Sequence, residues 1–158
     1  MITSPTLLSP VHDVSRFDCG NAALDEWLRT HALRNQGSGA SRTYVVEEES
    51  RVVGYFALAN GGVAAAEAPG KLRRNMPDPI PVMILARLAI DRSWQGRGLG
   101  LDLLRDAVLR TQQAAMIARI RALLVHAIDE GAAQFYERAG FLRSPIRPLT
   151  YLLPLDRR

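Results

Sequence analysis

The sequence predicts a mixed α/β fold, and three observations carry that expectation. Val82 to Ile90 is an almost unbroken apolar run of strand length. It passes through the glycine-rich turn Gln95-Gly96-Arg97-Gly98-Leu99-Gly100 into a segment whose apolar residues Leu99, Leu103, Leu104, Val108 and Leu109 recur at helical spacing. A second strand-to-helix pattern follows, with an apolar stretch at Ala122 to Ala127 and a helical one from Asp129 to Phe141. Ahead of both, Arg42 to Glu47 and Val52 to Leu58 read as strands joined by the charged turn Glu48-Glu49-Ser50-Arg51, which makes a hairpin. The chain shows no linker or internal repeat, so residues 1–158 are expected to form a single domain.

The remaining elements follow in order. Leu7 to Val11 reads as an edge strand. Asn21 precedes Ala22 to Arg29, with Asp25 and Glu26 in the first turn and Leu24, Trp27, Leu28 and His31 on one face, which predicts a helix running to about Arg34. The polar segment Asn35 to Ser41, with Gly37 and Gly39, reads as a loop. Ala59 to Pro81 holds Gly61, Gly62, Pro69, Gly70, Pro77, Pro79 and Pro81 and reads as a long loop, with strand continuing at most near Gly62 to Ala66. Loops of this length in compact domains are often functional. In the last helix Asp129 is placed as the N-cap and Gly140 as the C-cap.

Composition narrows the function classes. At 158 residues, 47% hydrophobic and 23% charged, the chain has ordinary globular usage and enough length to bury a core. Met1 to Val11 lacks a basic region followed by an apolar run. No segment approaches the roughly eighteen apolar residues of a membrane span, so a soluble cytoplasmic protein without a membrane partner is expected. Cys19 is the sole cysteine and lies beside Asp18 with no evident electropositive neighbour, which reads as structural. His12, His31 and His126 lack metal-ligand spacing, so no metal is expected. Of the twenty basic residues nineteen are arginine and only Lys71 is lysine, within a net charge of +4. Arginine's planar fork suits phosphate, although a general compositional bias toward Arg and Ala would read the same way.

The turn from Gln95 to Gly100 is the chemically richest segment. Its glycines let backbone N–H groups approach an anion, and the following helix directs its own free N–H groups and positive dipole end to the same place. A pyrophosphate would fit. The spacing excludes a Rossmann fingerprint, because Leu101 or Leu103 stands where its third glycine belongs. It also excludes a Walker A loop, because Gly70-Lys71 is followed by Leu72 and Ala65 lacks the leading glycine. What is left is Gln-x-x-Gly-x-Gly. Arg97, in the middle of the cradle, reads either as a phosphate contact or as a solvated side chain. Trp94 reads as core packing or a base-stacking platform. Arg87 interrupts an apolar strand, which is expensive unless it is ion-paired or faces an open cleft, and both readings stand.

The pattern at Gln95 to Gly100 resembles the acyl-CoA loop, Gln/Arg-x-x-Gly-x-Gly/Ala, of the GNAT superfamily of N-acetyltransferases. The segment from Ala122 to Phe141 is similar to that superfamily's other signature: a strand, a helix carrying the Phe135-Tyr136 pair, then Gly140-Phe141. The resemblance implies a mixed central sheet splayed at the acetyl-CoA site and flanked by helices, with acetyl-CoA as co-substrate. It further implies that Gln95, Gly96, Arg97, Gly98, Leu99 and Gly100 hold the pyrophosphate. Backbone N–H groups of Leu88, Ala89 and Ile90 would bind the pantetheine arm and polarise the carbonyl, and Phe135, on an adjacent face, reads as core packing or as a residue beside the cofactor. The hydroxyl of Tyr136 would sit near the sulfur.

Two further stretches narrow the resemblance. Leu72-Arg73-Arg74-Asn75-Met76-Pro77-Asp78-Pro79-Ile80-Pro81-Val82 leading into Leu85-Ala86-Arg87-Leu88-Ala89, and Phe17 to Leu28, look like the GNAT-type toxins of bacterial toxin–antitoxin pairs. With both signatures the resemblance covers roughly residues 10 to 155. It implies acetyl transfer to the α-amino group of an amino acid carried on tRNA, which blocks translation. It also implies a ribbon-helix-helix antitoxin partner, a homodimer, and operator DNA reached only through that antitoxin. Arg73, Arg74, Asn75, Arg87 and Arg34 are the residues assigned to the tRNA side. Two rivals remain: a GNAT enzyme acting on a small amine or a protein N-terminus, and an acyl-CoA-binding corepressor that works with a DNA-binding antitoxin.

The implied chemistry is modest. An aminoacyl ester's amine has a pKa at or below about 7.7–8.0, so much of it is neutral at cellular pH and no strong general base is needed. None is evident near the signatures. The departing thiolate needs a proton, which the Tyr136 phenol could supply. Arg147 to Arg158 reads as a closing strand, a dimer contact or an RNA arm.

Overall fold

The protein is described by a computed structural model over residues 1–155; residues 156–158 lie outside the described residues. The strands are β1 (Thr6–Leu7), β2 (Arg42–Glu48), β3 (Arg51–Val63), β4 (Ile80–Ile90), β5 (Ala122–His126), β6 (Leu142–Arg143) and β7 (Thr150–Pro154). The helices are α1 (Ala22–Thr30), α2 (Ala32–Ser38), α3 (Gly70–Arg73), α4 (Leu99–Ala115) and α5 (Glu130–Arg138). The strands form one mixed sheet in the order β1-β2-β3-β4-β5-β7-β6. β4 and β5 run parallel from Val82↔Ala122 to Leu85↔Val125, while β1 with β2, β2 with β3, β5 with β7 and β6 with β7 are antiparallel. The β2–β3 hairpin turns through Glu49 and Ser50, both at positive φ (50° and 68°), which matches the right-handed twist of the strands it joins.

The described residues pack as two compact units, Met1–Ala59 with Ala86–Ala107, and Asn60–Leu85 with residues 108–155. In the first, Leu8, Phe17, Leu28, Ala32, Val45, Val52, Tyr55 and Ala89 form the core. Tyr55 is its hub. The ring meets Phe17 edge-on at 5.4 Å and lies nearly parallel to Trp27 at 6.0 Å, and its hydroxyl donates to the Leu24 carbonyl at 2.7 Å. Burying this aromatic pair with its polar tip satisfied is what fixes α1 on the sheet.

Asn21 caps α1 as expected, its side chain accepting from Ala23 N and Leu24 N. The single helix expected to run to Arg34 is instead two. The chain breaks at His31 (φ −118°), where the Thr30 hydroxyl donates back to Glu26 O at 2.7 Å, a local bond that competes with helix continuation. His31 is exposed rather than on the buried face. Asn35 to Ser38, expected as loop, are helical and end at Gly39 (φ 84°). Their anchor is Gln36, whose side chain donates to Leu8 O and accepts from Thr43 N. At the N-terminus only Thr6–Leu7 forms the edge strand, and Val11 stands 87% exposed.

The second unit has its own core of Val63, Ala68, Leu72, Ile80, Val82, Ala122, Leu124 and Leu152. Ala59 to Pro81 is therefore not an open loop. β3 continues to Val63, a 3-10 turn spans Ala65–Glu67, and α3 inserts Leu72 into the core. Asp78 closes the excursion by accepting from Ala65 N at 3.0 Å, and the Ser144 hydroxyl donates to Glu67 O at 2.5 Å. Arg147 pairs with the Glu67 carboxylate beside that contact. Thr150–Pro154 is the inner strand β7, so the closing-strand reading holds for that part of Arg147 to Arg158. Leu109, expected on the buried face of α4, is 51% exposed.

Candidate active site

The first unit carries the glycine-rich turn proposed from the sequence as an anion cradle. β4 ends at Ile90, and Asp91 turns the chain. Only 4% exposed, Asp91 accepts from Ser93 N, the Ser93 hydroxyl and Asp18 N, with Arg51 at 3.6 Å. Burial works against its charge, but the hydrogen bonds from Ser93 and Asp18 outweigh it and hold the carboxyl below its ordinary value. Arg92 extends the tie, its N–H donating to Asp18 O at 2.8 Å.

Gln95 then does something the motif alone does not reveal. Its side-chain amide donates to Cys19 O at 2.7 Å and Ile90 O at 2.8 Å, so the side chain staples the turn to the chain before α1. Past the staple, Gly96 and Gly98 sit at φ 75° and 83°, the left-handed region where a Cβ is strained. Space is not the reason, because a Cβ at either position would meet nothing within 4 Å. Backbone N–H groups of Gly96, Arg97, Gly98, Leu99 and Gly100 find no acceptor among the described residues, and α4 begins at Leu99. Clustered N–H groups at the head of a seventeen-residue helix suit a pyrophosphate. Arg97 folds back instead of reaching over the cradle, lying 3.9 Å from the Trp94 ring centroid and donating to Ser93 O at 3.2 Å. Trp94 is partly buried beneath it and donates through Nε1 to Glu48, which accounts for it as packing.

Upstream of the cradle, Leu88, Ala89 and Ile90 are the last residues of β4, beyond the point where the ladder with β5 stops at Leu85. Arg87 precedes them. It is partly buried, and its guanidinium lies 4.4 Å from the Trp27 ring centroid with one long hydrogen bond to Ala86 O at 3.4 Å. Among the described residues it has no carboxylate partner, so the ion-pair reading fails. Cys19 is partly buried, and burial first, then the nearby Asp25, pushes its thiol up to about 11, which fits a structural residue. Arg34 is exposed on α2 and donates to Thr30 O at 3.2 Å.

The second unit carries Tyr136. Asp129 caps α5, accepting from Ala132 N at 2.8 Å, and the helix ends in a Schellman motif. Gly140 is at φ 99°, its N–H donates to Glu137 O, and the Phe141 N–H donates to Tyr136 O. The Gly-Phe signature thus has a local cause: glycine permits the turn, and Phe141 closes it against Tyr136 edge-on at 5.5 Å. Phe135 packs on the other side at 5.1 Å and is partly buried. Tyr136 itself is 6% exposed, and desolvation pushes its phenol up to about 12. Its hydroxyl has no hydrogen-bond partner among the described residues. Lys71, Arg73, Arg74 and Asn75 are all exposed, and Asn75 adopts φ 56°. No grouping of metal-ligating side chains and no helix long and apolar enough to cross a membrane occurs among the described residues.

A strand that ends in stapled, free N–H groups at a helix start, on this mixed sheet, defines the acyl-CoA-binding class of acetyltransferases. Residues 39–143 match the acetyltransferase (GNAT) domain, and the chain belongs to the GNAT acetyltransferase family. Its sequence is 50% identical over 151 residues to the tRNA-acetylating toxin of Mycobacterium tuberculosis (strain ATCC 25618 / H37Rv), covering 96% of this chain and 91% of that protein. In structure it is similar to AtaT complexed with acetyl-methionyl-tRNAfMet, with a TM-score of 0.90 at 32% identity over 98% of this chain and 95% of AtaT. It is also similar to a Tyr-to-Phe mutant of AtaT bound to the C-terminus of the antitoxin AtaR and acetyl-CoA, with a TM-score of 0.82 at 31% identity over 97% and 92% of the two chains.

Proposed function

We propose that this protein is the toxin of a toxin–antitoxin pair that transfers the acetyl group of acetyl-CoA to the α-amino group of an aminoacyl-tRNA, so that the blocked amino acid cannot accept the growing peptide. The likeness that carries this reading is to the tRNA-acetylating toxin, at half the residues identical along nearly the whole chain. Residues 1–158 act as a single acetyltransferase domain.

Acetyl-CoA supplies an activated thioester carbonyl. Gly96 to Gly100 hold its pyrophosphate through their free N–H groups, with Gln95 keeping the turn in shape. Backbone N–H groups of Leu88, Ala89 and Ile90 hold the pantetheine arm and meet the oxygen on which charge develops. Phe135 packs beside the cofactor. Tyr136 gives its hydroxyl proton to the departing sulfur and regains one from the nitrogen as the amide forms. Desolvation raises the phenol, so it meets the departing sulfur still carrying its proton. Arg73, Arg74, Asn75 and Arg34 meet the RNA, and Arg87 stands on the acceptor side.

In the cell the protein works in the cytoplasm as a homodimer. A ribbon-helix-helix antitoxin restrains it, and operator DNA is engaged through that antitoxin. The test is transfer of labelled acetyl from acetyl-CoA to a mixture of charged tRNAs, with uncharged tRNA and free amino acids alongside. Label on charged tRNA alone is the expected result; label only on free amines or protein would overturn the reading.

A further inference from the structure

Arg87 is a side chain of the cradle-bearing unit whose placement the acetyl donor does not explain. A guanidinium carries five N–H donors, yet this partly buried one makes a single long contact, to Ala86 O at 3.4 Å, and faces no carboxylate among the described residues. It is nonetheless held. Its plane rests against Trp27 at 4.4 Å, Trp27 stacks on Tyr55 at 6.0 Å, and Tyr55 is pinned by its hydroxyl to Leu24 O. An aromatic platform of this kind orients the fork without using its donors. An oriented, unspent guanidinium is a receptor for an anion with two oxygens.

Arg87 also comes immediately before Leu88, Ala89 and Ile90, the donors assigned above to the pantetheine arm, so the anion it takes belongs to the acceptor rather than to the cradle at Gly96 to Gly100. Resting on the aminoacyl-tRNA reading, we propose that Arg87 binds the phosphodiester that joins the terminal nucleotide of the charged tRNA to the rest of the chain, the anion nearest the reacting amine. One consequence follows: the enzyme selects amines carried on a nucleotide over otherwise equal free amines. A carboxylate has the same two-oxygen chemistry, and a free amino acid would supply one.

The experiment uses an aminoacylated RNA hairpin whose terminal phosphodiester is either native or replaced by a neutral methylphosphonate. kcat/KM is measured for the wild type, Arg87→Gln and Arg87→Lys, with acetyl-CoA KM and thermal stability as controls. Neutralising the phosphate should lower the wild-type value about 10- to 100-fold, and Arg87→Gln should lower it similarly on native RNA, as expected for one charged hydrogen-bonded pair. Arg87→Gln should then be indifferent to the methylphosphonate, while Arg87→Lys, with charge but no fork, falls between. Losses that multiply independently would overturn the proposal, as would a raised acetyl-CoA KM in Arg87→Gln. Free amino acids accepted as well as the hairpin by the wild type would assign the anion to a carboxylate and overturn it too. If the wild type transfers nothing to the native hairpin or to intact charged tRNA, the aminoacyl-tRNA reading itself fails and takes this proposal with it.

Discussion

Tyr136 and Cys19 are both kept protonated by burial, and the two differ in what that protonation is for. The phenol is pushed up to about 12 and the thiol from 9.0 to about 11. For each group the folded value lies above the unfolded one, so its contribution to stability is complete below the ordinary pKa. That contribution is lost as pH rises, through about 9 to 11 for Cys19 and about 10 to 12 for Tyr136. At pH 8 the thiol then holds about a hundred-fold less thiolate than an ordinary cysteine. Alkylation of native protein by iodoacetamide should be slower by that factor and should recover in urea; equal native and unfolded rates would mean Cys19 is not shielded. On the role proposed for Tyr136, Tyr136→Phe removes the proton given to the sulfur but keeps the ring contacts with Phe135 and Phe141. Its kcat should fall about 10²- to 10⁴-fold with acetyl-CoA affinity and the pH 8 denaturation midpoint nearly unchanged. Between about pH 10 and 12 the variant should lose less stability than the wild type. A Tyr136→Phe enzyme with full transfer rate would remove the residue from the chemistry.

The strand–turn–helix elements were legible because their signals are periodic or conformational: apolar runs for β4 and β5, helical spacing for α4, and glycines where the backbone enters positive φ. What stayed illegible depends on partners far away in sequence. Gln95 could be read only as a motif letter, since its acceptors, Cys19 O and Ile90 O, are backbone atoms without a side-chain signature. The same holds for Gln36, whose bonds to Leu8 O and Thr43 N turn a polar stretch into α2. Arg87 is ambiguous in sequence because neither Trp27 as its platform nor the absence of a carboxylate partner among the described residues has a local signature. Ala68 and Leu72 were hidden among prolines and glycines, though they complete a core. The staple gives the turn its own prediction. Gln95→Leu leaves two carbonyls without their donor and loosens the cradle without touching the residues assigned to chemistry. Acetyl-CoA KM should rise about 5- to 10-fold, in keeping with the loss of one or two hydrogen bonds, while kcat at saturation changes far less. Gln95→Glu, which sets a carboxylate against both carbonyls, should be worse. A kcat effect without a KM effect would show that the side chain acts at the reaction centre instead.

Taken as a whole, the molecule is only mildly basic at +4, so the proposed attraction for RNA would depend on where its nineteen arginines are left unpaired rather than on their number. Lys71, Arg73 and Arg74 are the exposed cations of a segment that is tied down at several points. Leu72 is buried beside them, Asp78 accepts from Ala65 N, and Glu67 is held by the Ser144 hydroxyl and by Arg147. Cations on an anchored segment can release counterions from RNA without first being ordered, and the two contributions separate in a salt titration. Each arginine that neutralises a phosphate adds about one to the slope of log KM for charged tRNA against log salt, so Arg73→Gln and Arg74→Gln should each flatten that slope by about one. Glu67→Gln removes no cation and releases Arg147 from its carboxylate, so on the same argument it should not flatten the slope. Acetyl-CoA KM should be indifferent to all three changes. A slope that survives Arg73→Gln and Arg74→Gln together would take this segment out of the RNA contact and leave the electrostatic attraction to Arg34 and the remaining exposed arginines.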